Sequence, residues 1–284
     1  MTSVLVRPFD EHLARLGQWQ LAAGTVQGRD HWLARRNSQD AFDCVATSDV
    51  LVAVVADGCG ASRYSETGAR LLASLLARTL ARRAAGGEDP FALAPAIDEV
   101  LDLLRRLAFI GDPPSTGWLT EHLLATVLAV VVTPERALVF RIGDGIVGID
   151  ERLTTHESPG NAPAYLAYRL VRPPTRATRV LANVDAAPSP VIEWDGPASA
   201  LRSVVLATDG ATALPASPDD PHATLRAWLA DDALFERPHA LGRRLAQLAR
   251  DEQVVDWDAQ VIRRHAGVLE DDTTVLLLRR SPGA

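Results

Sequence analysis

The stretch Leu51–Arg70, LVAVVADGCGASRYSETGAR, runs through unbroken apolar residues to an aspartate and then sets two glycines around a cysteine. Such a run, too short for a long helix and rich in valine, reads as a strand buried on both faces. Asp57 at its end is a carboxylate that the strand holds rigidly and the small residues after it leave open. A helix is expected next. Ser65 suits its N-cap and Glu66 its first turn, Leu72, Leu76 and Leu80 recur on one face with Arg70, Arg78 and Arg82 elsewhere, and AAGGEDP ends it.

Working outward, WQLAAGTVQG (19–28) and AFDCVAT (41–47) read as strands before this unit, and FALAPAIDEVLDLLRRLAFI (91–110) as a second helix with Pro95 near its first turn. HLLATVLAVVV (122–132) and RALVFRIGDGIVGID (136–150), separated by Thr133-Pro134-Glu135, predict an antiparallel hairpin. Residues 151–200 are rich in Pro, Thr, Ala and Arg and lack periodicity, so a long flap-like excursion with one short helix at APAYLAYRLV is expected. Beyond it come a strand, SVVLATDG, helical stretches around PHATLRAWLA, PHALGRRLAQLARD and WDAQVIRRHAG, and a closing strand, TTVLLLRR. Strands joined by hairpins and grouped apart from long helices indicate an α+β fold, with 1–284 forming a single domain.

The 284 residues, 47% apolar and 23% charged, suffice for a substantial core. No apolar run approaches the roughly 18 residues of a membrane span, and charge interrupts the N-terminus too early for a signal peptide, so a cytoplasmic protein with no membrane partner is expected. Two cysteines, Cys44 and Cys59, are too few for a disulfide framework or a cysteine zinc site. A net charge of −7, with basic residues that are all arginine and nowhere form a patch, argues against nucleic acid.

The Asp57 pattern recurs. VVLATDGAT ends a strand at Asp209, FRIGDGI places Asp144 between glycines, EDDTTVLLL sets Asp271 and Asp272 before a strand, and NSQDAF sets Asp40 before another. Any one Asp-Gly at a strand end is more commonly a simple turn. Taken jointly, oxygen ligands on rigid strand ends are what a hard divalent cation needs, Mg²⁺ or Mn²⁺ fitting best.

The segments GRDHWLARRNSQDAF, VVADGCGASRYSETGARLLA, ATVLAVVV with FRIGDG, VVLATDG and DDTTVLLL, in this order, resemble the metal-dependent protein phosphatases of the PPM class, protein phosphatase type 2C, and most closely its bacterial-type branch. The resemblance implies a four-layer sandwich of two antiparallel β-sheets flanked by helical layers, with metals in a cleft at one edge. It implies that Asp57 bridges two cations, that the Gly58 carbonyl binds one of them, and that Asp209 and Asp271 complete the other. Asp40 would act through metal-bound water, Asp144 would help hold a third, weaker cation, and Arg35 would bind the substrate phosphate, with Arg36 as the alternative. The implied activity is hydrolysis of phosphoserine and phosphothreonine in proteins by a metal-bridging water, so the partners are phosphorylated proteins and a cognate kinase or its targets. Gln39 stands where many relatives have Glu, and Cys59 where some have a histidine proposed as general acid. Cys59 reads better as a packing residue, and His31 either serves the cleft or makes a structural hydrogen bond. Two rivals remain. A haloacid-dehalogenase-type phosphatase would need an aspartate nucleophile two residues before Asp57 or Asp209, where Val55 and Ala207 stand. The other is a catalytically silent relative serving as a regulatory or binding module.

Overall fold

The computed structural model describes residues 12–16, 18–108, 116–158, 160, 163–170 and 188–281. Strand β4 (Leu51–Ala56) is completely buried, and its alternating side chains divide between two cores. Leu51, Ala53 and Val55 face the core between two sheets, whereas Val52, Val54 and Ala56 face helices. This is the period-two consequence of a pleated strand covered on both sides. Its neighbour β5 (Val127–Val132) divides in the same way. Each fully buried Val or Leu contributes about 1.5–3 kcal/mol, so this central pair is a large share of what holds the layers together.

One antiparallel sheet has the order β3 (Ala41–Ala46), β4, β5, β6 (Arg136–Ile142), β9 (Val191–Pro197). The other has the order β1 (His12–Leu16), β2 (Trp19–Val26), β13 (Thr273–Arg280), β10 (Ser203–Ala207), β7 (Gly145–Ile149), β8 (Arg152–His156). Between them lies a core containing Leu21, Phe42, Leu128, Val130, Leu206 and Leu276. Helices α2 (Ser65–Ala85) and α3 (Leu93–Ala108) cover the first sheet through Leu72, Leu76, Leu80, Ile97 and Leu104. Helices α5 (Ala223–Ala230), α6 (Asp232–Glu236) and α7 (Ala240–Ala249) cover the second through Trp228, Phe235, Leu241 and Leu245. Short helices α1 (Arg29–Leu33) and α4 (Thr116–His122) complete the α-helices among the described residues. The α+β four-layer sandwich is the observed architecture.

Four local expectations are corrected. RALVFRIGDGIVGID is two strands: β6 stays in the first sheet and β7 joins the second. The chain can turn between them because Gly143 and Gly145 adopt φ of 96° and 124°, and a Cβ on Gly145 would lie 2.8 Å from the Ala207 carbonyl. Ser65 is the first helical residue and not the N-cap of α2, its hydroxyl donating instead to the Cys59 carbonyl at 3.0 Å. WDAQVIRRHAG is not helical: β11 (Glu252–Asp256) and β12 (Val261–His265) form a hairpin. β-branched pairs flank its turn, the Asp256 carboxylate accepts from the Ala259 amide, and Gln260 takes a left-handed φ of 51°. Finally, the ends of the 151–200 excursion are strands, β8 and β9, in different sheets. The expected short helix there is a 3₁₀ turn, Leu166–Leu170, with Leu166, Ala167 and Leu170 buried in the helix-side core. Residues 171–187 lie outside the described residues.

Candidate active site

Both sheets deliver carboxylates to one edge. Asp40 immediately precedes β3 and Asp57 follows β4, while Asp209 lies just past β10, Asp271 just before β13, and Asp144 in the crossover from β6 to β7. At this edge opens a cleft of about 260 Å³ lined by His31, Gln39, Asp57, Gly58, Asp144, Asp209, Asp271 and Asp272, with Cys59, Thr126 and Tyr165 among the wall residues.

The backbone fixes Asp57 from both sides. Its carbonyl accepts from the Thr126 amide at 2.8 Å, and the next amide, Gly58, donates to the Gln39 carbonyl at 3.2 Å. A Cβ on Gly58 would fall 2.7 Å from the Gln39 carbonyl oxygen and 2.9 Å from Ser65 Oγ, so this close approach requires glycine. On the opposite wall, a Cβ on Gly210 would lie 2.1 Å from the Asp272 carbonyl oxygen, which locks the Asp209 loop against the Asp271–Asp272 loop.

Asp272 organises that wall. Its Oδ1 accepts from the Gly28 amide at 2.7 Å, and its Oδ2 accepts from the Gln39 amide at 2.6 Å and meets His31 Nδ1 at 2.6 Å. Asp40 sits behind the cleft and not on its surface; it is buried, and its Oδ2 accepts from Thr208 Oγ1 at 2.7 Å. The same hydroxyl oxygen accepts from the Thr274 amide at 3.0 Å, tying the start of β3 to β10 and β13.

So many acids in one place oppose ionisation. Burial, reinforced by the charge of Asp272, pushes the Asp40 carboxyl well above the ordinary carboxylate range. Burial, then Asp40, Asp209 and Asp271, does the same to Asp57. Asp144 is raised mainly by burial. Asp209 is open to solvent on one side, yet desolvation against the cleft wall and then Asp271 raise it too. Burial, and then the neighbouring Cys59, also raises the Tyr165 hydroxyl.

Gln39 is 2% exposed; its Nε2 donates to the Ser62 carbonyl at 3.0 Å, while its Oε1 is buried without a partner. A buried acceptor lacking a donor, beside carboxylates that repel one another, is a donor set suited to a hard divalent cation. Candidate ligand atoms of His31, Asp271 and Asp272 lie within 4.8 Å of one another. The Asp272 oxygens are already occupied by three hydrogen bonds, whereas the Asp271 carboxylate accepts one among the described residues, from the Asp272 amide at 2.8 Å, and so has more room for a cation.

Of the residues singled out in the sequence, His31, Gln39, Asp57, Gly58, Asp144, Asp209 and Asp271 line the cleft together; Asp40 stands behind it. Arg35 does not line it: the residue is exposed and its backbone takes a left-handed φ of 57°. The Arg36 guanidinium is bound to the Gly60 and Ser62 carbonyls at 3.0 and 2.6 Å, holding the loop that forms one rim. Sequence reasoning did not assign roles to Asp272, Thr208, Thr126 or Tyr165. The doubled acid in EDDTT was a signal for the first; the others depend on tertiary contacts.

Solved structures share this arrangement of elements. A variant of a bacterial serine phosphatase matches with a TM-score of 0.53 at 16% identity, covering 95% of this chain and 100% of its own. The serine/threonine phosphatase Stp1 from Staphylococcus aureus matches with a TM-score of 0.51 at 14% identity, covering 94% and 97%. The Mycobacterium tuberculosis serine/threonine phosphatase PstP/Ppp matches with a TM-score of 0.50 at 17% identity, covering 93% and 99%. At these identities the likeness is one of fold. No curated protein matches the chain by sequence. The profile of the protein phosphatase 2C family does match, over residues 27–250, which is most of the chain, and the chain therefore belongs to the protein phosphatase 2C family.

Proposed function

We propose that the chain acts as a single domain in the cytoplasm and hydrolyses phosphate monoesters of serine and threonine in proteins, with Mg²⁺ or Mn²⁺ held in the acidic cleft. The observation that carries this reading is the convergence of Asp57, Asp144, Asp209 and Asp271, drawn from both sheets, on one cleft that also contains the unpartnered Gln39 Oε1. Asp57, Asp209 and Asp271 would hold two cations together with the Gly58 carbonyl, Asp40 would support them from behind, and Asp144 would help hold a third, weaker one. A divalent cation bound there supplies Lewis-acid activation of water and charge neutralisation on the phosphoryl oxygens. The chain's own part is positional. Thr126 and Gly58 fix the Asp57 backbone, Thr208 orients the Asp40 carboxylate, and Asp272 holds His31 at the cleft wall through its Nδ1. Arg35, exposed and without a polar side-chain contact among the described residues, is free to fold toward a bound phosphate and fork onto two of its oxygens. The 151–200 excursion contributes Pro163 and Tyr165 to the wall, which makes it the element that selects substrates.

Turnover of p-nitrophenyl phosphate and of a phosphothreonine peptide, in chelator and after adding Mn²⁺ or Mg²⁺, tests the proposal. Hydrolysis restored only by the cation supports it, and undiminished turnover in metal-stripped protein overturns it. One observation favours the second reading, a silent binding module: no arginine lines the cleft among the described residues. Saturable phosphopeptide binding without turnover at any cation concentration would decide for that module.

A further inference from the structure

Away from the acidic cleft, a second groove of about 470 Å³ opens behind α1. Its walls are the end of β2, the exposed side of α1 with Trp32 and Leu33, the end of α7 with Ala246 and Ala249, and the base of the β11–β12 hairpin. Trp32 is 66% exposed and Leu33 61%. Nothing in the proposed hydrolysis uses these side chains, and one short helix presents His31 to the cleft and this apolar pair to the groove.

The hairpin raises the same question. Among the described residues its two strands pair only with each other, and its large apolar residues stand in solvent, Ile262 at 67% and Trp257 at 82%. A two-stranded ribbon exposed on both faces is marginal on its own, and each of its outer edges is a row of free backbone donors and acceptors. The family match stops at residue 250, immediately before this ribbon.

Charge decides what suits the site. The groove lining carries Arg29, Arg250 and Arg264 against the single carboxylate of Asp251, on a chain whose net charge is −7. Arg29 is engaged by Glu270 and Arg264 by Asp251, while Arg250 has no ion-pair partner among the described residues. The edge strand β12 continues the pattern, with Ile262 followed by Arg263, Arg264 and His265, whereas β11 and its turn carry Glu252, Asp256 and Asp258. Two copies joined edge to edge through β12 would set arginines against arginines, and through β11 acids against acids. Self-pairing is therefore disfavoured by like charge.

We propose that this groove, together with the free edge of β12, is a docking site for an extended segment of a partner protein in which a large apolar residue and an Asp or Glu stand two residues apart. Added as a strand along β12, such a segment points alternate side chains one way. On the face turned to the groove its apolar residue enters the bed made by Trp32, Leu33 and Ala246, and its carboxylate, on the same face, meets Arg250. The site is separate from the acidic cleft and involves no phosphate, so the proposal stands or falls independently of hydrolysis.

The test uses the full chain and two fluorescein-labelled peptides, one carrying Leu and Asp in turn at every second position with Thr between them and the other carrying Lys in place of Asp, read by anisotropy in chelator. The expected result is saturable binding of the Leu-Asp peptide, weaker binding of the Leu-Lys peptide, and a loss of at least about tenfold in affinity in both Arg250→Glu and Leu33→Asp. Both substituted residues are exposed, so the fold should persist, and circular dichroism with urea unfolding checks this. Equal binding of the two peptides, no saturable binding, or binding unaffected by either variant overturns the proposal. So does sedimentation equilibrium that finds a dimer dissolved by Ile262→Asp, since a second copy would then be the occupant.

Discussion

Replacing Asp272 tests whether the acidic wall depends on one hydrogen-bonded carboxylate. Its side chain is 3% exposed and accepts from the amides of Gly28 and Gln39 and from His31. Asp272→Ala leaves two buried amides and an imidazole without an acceptor. Each unsatisfied buried donor costs about 1–3 kcal/mol, and because such losses in one network are not additive and water can enter the space, about 3–5 kcal/mol is expected in total. Asp272→Asn preserves the volume but not the donor balance. With its oxygen at the Oδ2 position, its NH₂ confronts the Gly28 amide; in the opposite orientation it confronts the Gln39 amide, so one donor is always opposed and about 1–3 kcal/mol should be lost. The order wild type, Asn, Ala in stability is thus the signature. Urea unfolding in chelator, followed by tryptophan fluorescence, measures it as a fall in midpoint at constant m-value. Against a total of about 5–15 kcal/mol these are large effects. If both variants unfold within about 0.5 kcal/mol of wild type, the carboxylate does not hold the wall and the argument from its partners fails.

The acidic cluster predicts that the metal-free protein is most stable at mildly acidic pH. Asp40 and Asp57 hold protons in the folded state at pH values where the unfolded chain has lost them, so stability should fall as pH rises from the unfolded carboxylate range through the raised folded values, and a melting temperature flat over that range in chelator would contradict it. For the same reason Asp57→Asn should abolish phosphatase turnover yet stabilise the metal-free fold by about 0.5–2 kcal/mol; an inactive variant that is also less stable would show that repulsion is not the dominant strain there. Gln39→Glu adds a carboxylate but gives up the Nε2 bond to Ser62, so half-maximal activation should move to lower Mn²⁺ while metal-free stability drops, and identical Mn²⁺ titration curves would place residue 39 outside the coordination shell. Arg35→Ala should raise KM without changing stability, whereas Arg36→Ala should lower stability by releasing the 60–62 loop; the opposite assignment would follow if only Arg36→Ala alters KM.

What could be read from the sequence was what local pattern encodes. The unbroken run of β4 declares a strand covered on both sides and the apolar runs of β5, β10 and β13 declare strands, while the four-layer sandwich came from the family resemblance and not from these runs. The acids at their ends were visible because each sits against a strand terminus, and glycine marks three of them. The passage of the chain from one sheet to the other at Asp144 was not visible, since Gly-Asp-Gly within a continuing apolar pattern also reads as one strand. The β11–β12 hairpin was misread because its β-branched pairs are short and its turn lacks glycine, relying on Asp256 and a left-handed Gln260. The partners of the acids were beyond reach for a different reason. Asp272 meets Gly28 across 244 residues and Thr208 meets Asp40 across 168, and no local periodicity carries such a pairing.

Those long-range pairings explain why the cleft lies where it does. Asp40 and Asp57 belong to the first sheet, Asp209, Asp271 and Asp272 to the second, and Asp144 to the crossover in which β6 passes directly into β7. At this edge the apolar core between the sheets gives way to hydrogen bonds that cross the seam: Thr208 to Asp40, and the Gln39 amide to Asp272. These bonds align the walls, but they cannot neutralise the acids, whose mutual repulsion works to open the same seam. A divalent cation shared by Asp57 and the carboxylates of the other sheet would remove that repulsion and brace the two sheets together. On this reading, cation binding and sheet packing are one equilibrium, and the edge that is weakest without metal is the edge where the chemistry is placed.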